Sequence, residues 1–435
     1  MRTLRHLTVL TVLVGAGLVG VAVAVDTTPS ASAAVAPGTA PDRVVLNPGA
    51  SPDSRSVTWR TAEPVTEGAV EIGTPGGPTR RVAAMRSQVV RPGRDAPAAR
   101  HHTAVVDDLA AGQTYRYRVG GDGVWSPWFE FTTVTADDPW TFLYFGDAQE
   151  GLGEAWPAAA EAAFDAHPQA RAQVHAGDLV NLADDDGQWG AWFAGLGPHA
   201  ASSTLLSAPG NHELWGDPGM TAYLGHFGLP DNGPVGQSEG AWFADLGGVR
   251  FVSLDANSNL DGRDVTQTAW LRRTLAENPM PWTVVTFHQP MFAARADRNN
   301  AALRESWLPI LEQYDVDLVL QGHDHAYARG RLDTDAATDR GPVFVVSHAG
   351  AKFYDLDTAD RNNWTRNGAI REVAHDQVAT WQSIRVEADR LMYRSYVAGL
   401  GPDRARTDLA VGDLADAFTV TRLPDGSTRV TDDPR

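Results

Sequence analysis

The sequence predicts an all-β domain over residues 42–134, followed by a larger α/β domain over residues 138–422. Three observations carry that expectation. Short β-branched and aromatic runs separated by turn residues fill the first segment. From Trp140 on, buried-type strand runs alternate with amphipathic helical stretches. Five of those runs end in a cluster of Gly, Asp, Asn or His, the residue types suited to a ligand crevice at strand carboxyl ends.

The elements follow in order. Arg2 and Arg5 precede an apolar run over residues 7–25, and Ala31-Ser32-Ala33 offers a small-residue cleavage site. Residues 1–33 therefore read as a secretory signal peptide. An uncleaved membrane anchor is the alternative, because the run nearly spans a bilayer. The small residues directly after it favour cleavage, and no later stretch is apolar enough to span. A secreted or extracytoplasmic protein is expected, with no stable membrane span after cleavage. Residues 34–41 close a Pro-, Ala- and Thr-rich linker.

Composition narrows the function classes. The chain has 435 residues, 43% hydrophobic and 21% charged, which is globular. It has no cysteine, which excludes disulfides, thiolate metal sites and a lipid-modified cysteine anchor. A formal net charge of -18 argues against a face that grips nucleic acid. An anionic substrate would need a local cation, and bound metal is the usual source.

Residues 44–46, 56–59, 69–72, 102–106, 114–119 and 129–132 read as strands of a small β-sandwich. The stretch over residues 109–119 resembles the late strands of fibronectin type III domains. His101 and His102 are expected to be exposed strand histidines without a metal role. After a short linker, residues 140–145, 172–176, 204–208, 249–254, 283–287 and 316–320 read as buried strands. Helices are expected over 154–166, 266–277 and 301–314. The second puts Trp270, Leu271 and Leu275 on one face, and the third does so with Leu303, Trp307, Leu308 and Leu311. Residues 383–386, 391–396 and 417–420 are expected to complete a second sheet, with 423–435 a tail.

The chemistry rests on where the strands end. The blocks are Gly146-Asp147-Ala148-Gln149, Gly177-Asp178-Leu179-Val180-Asn181, Gly210-Asn211-His212-Glu213, His288-Gln289-Pro290 and Gly322-His323-Asp324-His325. Any one of them is weak, since Gly-Asp after a strand is often a turn and a lone His is often structural. Together they deliver oxygen and nitrogen donors with no soft ligand, a set for Mn, Fe, Zn or Mg.

The ordered series resembles the signature of the calcineurin-like metallophosphoesterases, from Trp140 to the C-terminus. A preceding fibronectin-like domain is the layout of the purple acid phosphatases, and residues 321–327 and 347–354 also resemble that group. The resemblance implies a four-layer α/β/β/α catalytic domain with two metal ions. It implies that Asp178 bridges both ions, that Asp147 and His325 hold the first, and that Asn211, His288 and His323 hold the second. Two candidate ligand positions depart from the pattern. Purple acid phosphatases carry a Tyr three residues after the bridging Asp, where this chain has Asn181. Many relatives carry a His two residues after the first Asp, where this chain has Gln149, whose carbonyl oxygen could replace it. Two divalent ions (Fe, Mn or Zn) are expected, because two ionised Asp then leave a double positive charge that matches a phosphate dianion.

The implied activity is hydrolysis of a small phosphate monoester by hydroxide held between the ions. His212 matches no metal position and is the candidate to stabilise the phosphoryl oxygen or protonate the leaving group. His348 and Arg298 are candidate substrate-binding residues. Lys352 and Tyr354 follow the same late strand as His348 and could line the pocket, with a packed loop as the alternative; Arg295 and Arg298 follow His288 and could clamp phosphate, with solvated surface arginines as the alternative. Asp184, Asp185 and Asp186 read as a solvated acidic loop, and Glu213 as a support for the ligands. Phosphodiester or nucleotide hydrolysis at the same ions is the alternative, decided by pocket walls that motifs do not describe. A non-catalytic binding protein is a third reading, and the donor side chain at every matched position argues against it.

Overall fold

The computed structural model describes residues 38, 40–93, 96–121, 123–237 and 239–434. The expected signal peptide lies outside the described residues. The N-terminal domain is a β-sandwich. Asp42–Pro48, Arg55–Ala62, Ala99–Val106 and Arg86–Val90 form one sheet. Thr79–Ala83, Ala69–Gly73, Thr114–Gly121 and Val124–Trp125 form the other, with Phe129–Thr132 on Thr114–Gly121. Val57, Trp59, Val70, Ile72, Ala104, Tyr117, Val119 and Phe131 fill the space between them. Alternation along each strand sends these side chains inward.

Two seven-stranded sheets form the second domain. In the first, Thr204–Ser207, Ala172–His175 and Trp140–Phe145 run parallel. Val378–Val386, Arg390–Leu400, Leu414–Arg422 and Thr428–Asp432 then extend it antiparallel. The C-terminal strands thus belong to the sheet that carries Asp147 and Asp178, not to a second one. The expected tail is corrected too, because Thr428–Asp432 is an edge strand paired with Leu414–Arg422.

The second sheet has the order Trp242–Leu246, Val249–Ser253, Trp282–Thr286, Leu318–Gln321, Val343–Val346, Tyr327–Leu332, Ala369–His375. Its residues divide by parity, as period-two side chains must. Trp282, Val284, Leu318, Leu320, Val343 and Val345 join the core shared with the first sheet. Val285, Val319, Phe344 and Val346 join a core with Trp270, Leu271, Leu303 and Trp307 of helices Val265–Ala276 and Ala301–Gln313. On the far side, Phe145 packs edge-on against Trp156 of helix Ala155–Ala166. The order is helix, sheet, sheet, helix. The Tyr144 hydroxyl crosses between the sheets to the Gln321 carbonyl.

Candidate metal centre

Parallel pairing sets where the functional residues fall. Strands Trp140–Phe145, Ala172–His175 and Thr204–Ser207 place Asp147, Asp178 and Asn211 beyond one edge of the first sheet. Strands Trp282–Thr286 and Leu318–Gln321 place His288, His323 and His325 beyond an edge of the second. The two edges meet where Asp147 bridges to His348 and its carbonyl accepts from the N–H groups of Ala349 (3.0 Å) and Gly350 (2.8 Å). Two sheets, not a single open one, build the crevice.

The turns are strained and tightly packed. Asp178, His323 and His325 have φ of 52°, 75° and 44°, in the left-handed region that non-glycine residues seldom enter and that clusters at functional sites. A Cβ on Gly210 would collide with Asp178 Oδ1, and one on Gly322 with Asp147 Oδ1. Glycine at those positions lets the backbone approach the carboxylates.

The donor atoms fall into two groups. Asp147 Oδ2 lies 3.0 Å from His325 Nε2. Asp178 Oδ2 lies 2.9 Å from His288 Nε2, which is 3.0 Å from His323 Nδ1. Asp178, His288 and His323 offer atoms all within 4.8 Å of one another. Gln149 Nε2 sits between the groups, 3.3 Å from Asp178 Oδ2 and 3.1 Å from His325 Nε2. Its amide oxygen and nitrogen are interchangeable by rotation, so the same position can present Oε1.

Backbone carbonyls fix the ring orientations. His288 Nδ1 donates to the Ala176 carbonyl at 2.8 Å, and His325 Nδ1 to the Lys352 carbonyl at 3.0 Å. Both Nε2 atoms then face the cluster, the arrangement of metal-binding histidines. The residues fit a pair of cations. Asp147 Oδ2, Gln149 Oε1 and Asn211 Oδ1 are buried without hydrogen-bond partners, and such atoms are costly unless something else satisfies them.

The electrostatics agree. Burial pulls the His288 imidazole down, but Asp178 and Asp147 outweigh it and raise its pKa to about 9. Burial would raise the Asp147 carboxyl, yet His288 and His325 hold it well below the usual range. Two buried carboxylates demand positive charge here.

His212 belongs to neither group of donor atoms, although its backbone N–H donates to Asp178 Oδ1 at 2.8 Å. Its Nδ1 donates to the Asn181 carbonyl at 2.7 Å, Trp215 packs on its ring at 3.8 Å, and Nε2 lies 3.8 Å from Asp178 Oδ2. Asn181 thus joins the cluster through its backbone. Arg298 is ion-paired with Asp324 and donates to the His323 carbonyl at 2.8 Å. It braces the turn that carries His323, which corrects the expectation of a phosphate clamp. His348 is fully buried, and its ring packs 5.4 Å from that of His325. Burial takes its pKa down to about 3, and it stands behind the cluster instead of lining a surface that substrate reaches.

Two supports were not foreseen in detail. The Glu213 carboxylate accepts from the N–H groups of Asp178 (2.8 Å), Leu179 (2.9 Å) and Gly210 (2.6 Å), so it ties two ligand turns together. Burial and the Asp178 charge raise its pKa to about 7. Asn257 donates to the Gly210 carbonyl at 3.0 Å and accepts from Gln289 at 2.7 Å, which links the turns of Asn211 and His288. Asn257 lies in the short 3-10 helix Ala256–Asn259 with no motif around it, so only three-dimensional contact reveals it.

This two-sheet fold with its two-group donor cluster defines a metallophosphoesterase architecture. Residues 41–133 match the family model of the purple acid phosphatase N-terminal domain, and residues 141–327 that of the calcineurin-like phosphoesterases. The chain thus carries, in order, matches to the two domains that make up the purple acid phosphatase layout. It is 29% identical over 325 residues to an uncharacterized protein of Mycobacterium tuberculosis, covering 65% of this chain and 61% of that protein. It is 29% identical over 360 residues to acid phosphatase type 7 of Homo sapiens, covering 72% and 78%. Purple acid phosphatase PPD1 of yellow lupin shares the fold, with a TM-score of 0.73 at 20% identity over 89% of this chain and 75% of that one. The chain thus spans about three-fifths of the length of the mycobacterial relative.

Proposed function

We propose that this protein is a secreted, metal-dependent phosphatase that hydrolyses small phosphate monoesters. The observation that carries the reading is the convergence of Asp147, Asp178, Asn211, His288, His323 and His325 at the meeting edges of two sheets, with buried oxygen atoms left unpartnered. Asp147 and His325, with Gln149 beside them, would hold one ion. Asn211, His288 and His323 would hold the other, and Asp178 would serve both. Two divalent cations there would polarise a phosphoryl oxygen and make a water acidic enough to attack near neutral pH.

The chain's own residues do the rest. Glu213 fixes the turns of Asp178 and Asn211, so the donor geometry is set before substrate arrives. His212, held by the Asn181 carbonyl, presents Nε2 to the crevice. In its protonated form it donates to the phosphoryl group or the departing oxygen. The apolar leader over residues 7–25 supports secretion.

The test is chelation followed by metal add-back on a panel of monoesters and diesters. Hydrolysis should vanish with the metals and return with Mn, Zn or Fe, fastest on monoesters. Full turnover after verified metal loss would overturn the reading, and faster diester cleavage would replace the substrate class. The iron-loaded protein should also lack a visible charge-transfer band, because Asn181 stands where a phenolate would be. A band that appears with iron and vanishes on tyrosine modification would show that another tyrosine serves.

A further inference from the structure

Lys352 is the only lysine in a chain whose formal net charge is -18, and it lies at the candidate metal centre. Its carbonyl accepts from His325 Nδ1 at 3.0 Å, and the Tyr354 N–H donates to the His325 carbonyl at 3.1 Å. The segment is therefore pinned at both ends to a candidate ligand. Lys352 Nζ lies 5.3 Å from the centroid of the Tyr354 ring, and the Arg295 guanidinium carbon 4.4 Å from it. That ring packs edge-on against His325 at 4.8 Å. All three side chains are half-buried.

Among the described residues, neither Lys352 nor Arg295 forms an ion pair, and Asp324, Asp355, Asp376 and Asp357 are engaged by other groups. Asp324 is paired with Arg298 and accepts from the N–H groups of Ala294 and Arg295. Asp355 and Asp376 are both paired with Arg406. Asp357 accepts from the Ala359 N–H and lies 3.7 Å from Arg366. Contact with an aromatic face positions a cation without neutralising it. Two fixed, uncompensated cations beside a phosphate site attract further negative charge.

We infer that Lys352 and Arg295, set on Tyr354 beside His325, form a second anion subsite that takes the distal phosphoryl group of a di- or triphosphate substrate. The inference rests on the phosphoesterase reading and extends its substrate class to esters that carry a further phosphoryl group. Arg298 takes no part, because Asp324 occupies it.

The lone ε-amine permits a direct test on the full, metal-loaded chain. Lys352 is acylated with an amine reagent and its peptide followed by mass spectrometry, with divalent ion in excess. Methylenediphosphonate should slow acylation about tenfold, whereas inorganic phosphate leaves it nearly unchanged. Equal acylation rates with and without the diphosphonate would overturn the subsite. In a second arm, Lys352→Met and Arg295→Met should each lower the ratio of kcat/KM for a nucleoside diphosphate over its monophosphate about tenfold. An unchanged ratio would likewise overturn it. If neither nucleotide is hydrolysed, turnover on the monoester and diester panel decides the phosphoesterase reading, and the acylation arm alone decides the subsite.

Discussion

At the scale of single residues, His212 is held so that metal binding and proton chemistry can be separated. The Asn181 carbonyl and the Trp215 ring fix its orientation, and neither bond involves a candidate ligand side chain. His212→Ala should therefore keep both metal equivalents while kcat falls about 10²- to 10⁴-fold, the usual worth of general acid–base help. The loss should be larger for alkyl esters than for nitrophenyl esters, whose leaving group hardly needs a proton. Metal content and turnover on both esters check this. Loss of one metal equivalent would make His212 a ligand, and an equal loss on both esters would favour charge stabilisation. The donors that gather here were legible because they recur as an ordered series after strands. Glu213 and Asn257 act through backbone groups of distant turns, and hydrogen bonds of that kind leave no spacing in a sequence. Arg295 and Arg298 read as solvated because their ring and carboxylate partners, Tyr354 and Asp324, are remote in the chain.

At the scale of elements, buried strands and helices were legible from apolar runs, but their partners were not. The strands from Val378 on look like any others, and only pairing with Trp140–Phe145 shows which sheet they extend. Thr79–Ala83 and Arg86–Val90 escaped notice because arginines and small polar residues break the β pattern on their exposed positions. Asp317, just before Leu318–Gln321, shows how a polar residue can anchor a strand. Its carboxylate accepts from the Thr283 N–H at 2.8 Å, and its own N–H donates to the Thr283 carbonyl at 3.1 Å. Burial raises its pKa to about 7. The folded protein thus holds this proton more tightly than the unfolded chain. Stability from this group is complete below the ordinary Asp pKa, near 4, and is lost as pH rises through about 7. Asp317→Asn should keep the acceptor and remove the titration. Its melting temperature should decline less than that of the wild type between pH 5 and 8. Parallel declines would show that Asp317 is already ionised in the fold.

At the scale of the whole molecule, the sandwich and the two-sheet domain are joined by buried charge. Asp186, expected in a solvated acidic loop, is buried and takes Arg43 at 2.6 Å and Arg60 at 3.0 Å from the sandwich. Asp185 caps helix Asp186–Leu196 by accepting from Gly187 and Gln188. Both roles escape sequence reading, because a run of three acids resembles a solvated turn until its partners are seen. His101 and His102 are likewise buried, not exposed. His101 Nδ1 donates to the Gly225 carbonyl at 2.9 Å, and His102 stacks on Trp59. Removing one partner of a buried pair strands the other. Asp186→Ala should therefore cost about 3–5 kcal/mol in chemical denaturation. A loss below 1 kcal/mol would mean that water or Asp42 takes over the two arginines.

The same junction sets an acid limit. Arg43 Nη1 lies 2.9 Å from His226 Nε2, and His226 Nδ1 donates to the Ala222 carbonyl at 2.7 Å. The arginine can only donate, so His226 Nε2 must accept, which requires a neutral ring. Burial, then His101, Arg43 and Arg60, hold the His226 pKa well below the ordinary value. Burial also lowers His101 to about 3, with the Gly225 carbonyl opposing it. The groups facing this pair are Arg43, Arg60 and Asp186, with the Trp189 and Phe193 rings against His226. Both folded pKa values lie below the unfolded one near 6.5, so the unfolded chain binds more protons below that pH. Stability from these histidines is present above about 6.5 and lost as pH falls, by about 1.4 kcal/mol per pH unit for each ring. Protonation would also remove the acceptor that Arg43 uses. His226→Gln keeps an acceptor oxygen and does not titrate. The variant should lose less stability than the wild type between pH 6.5 and 4.5, measured by denaturant midpoint. Equal losses would place the acid sensitivity elsewhere and leave the junction a structural contact alone.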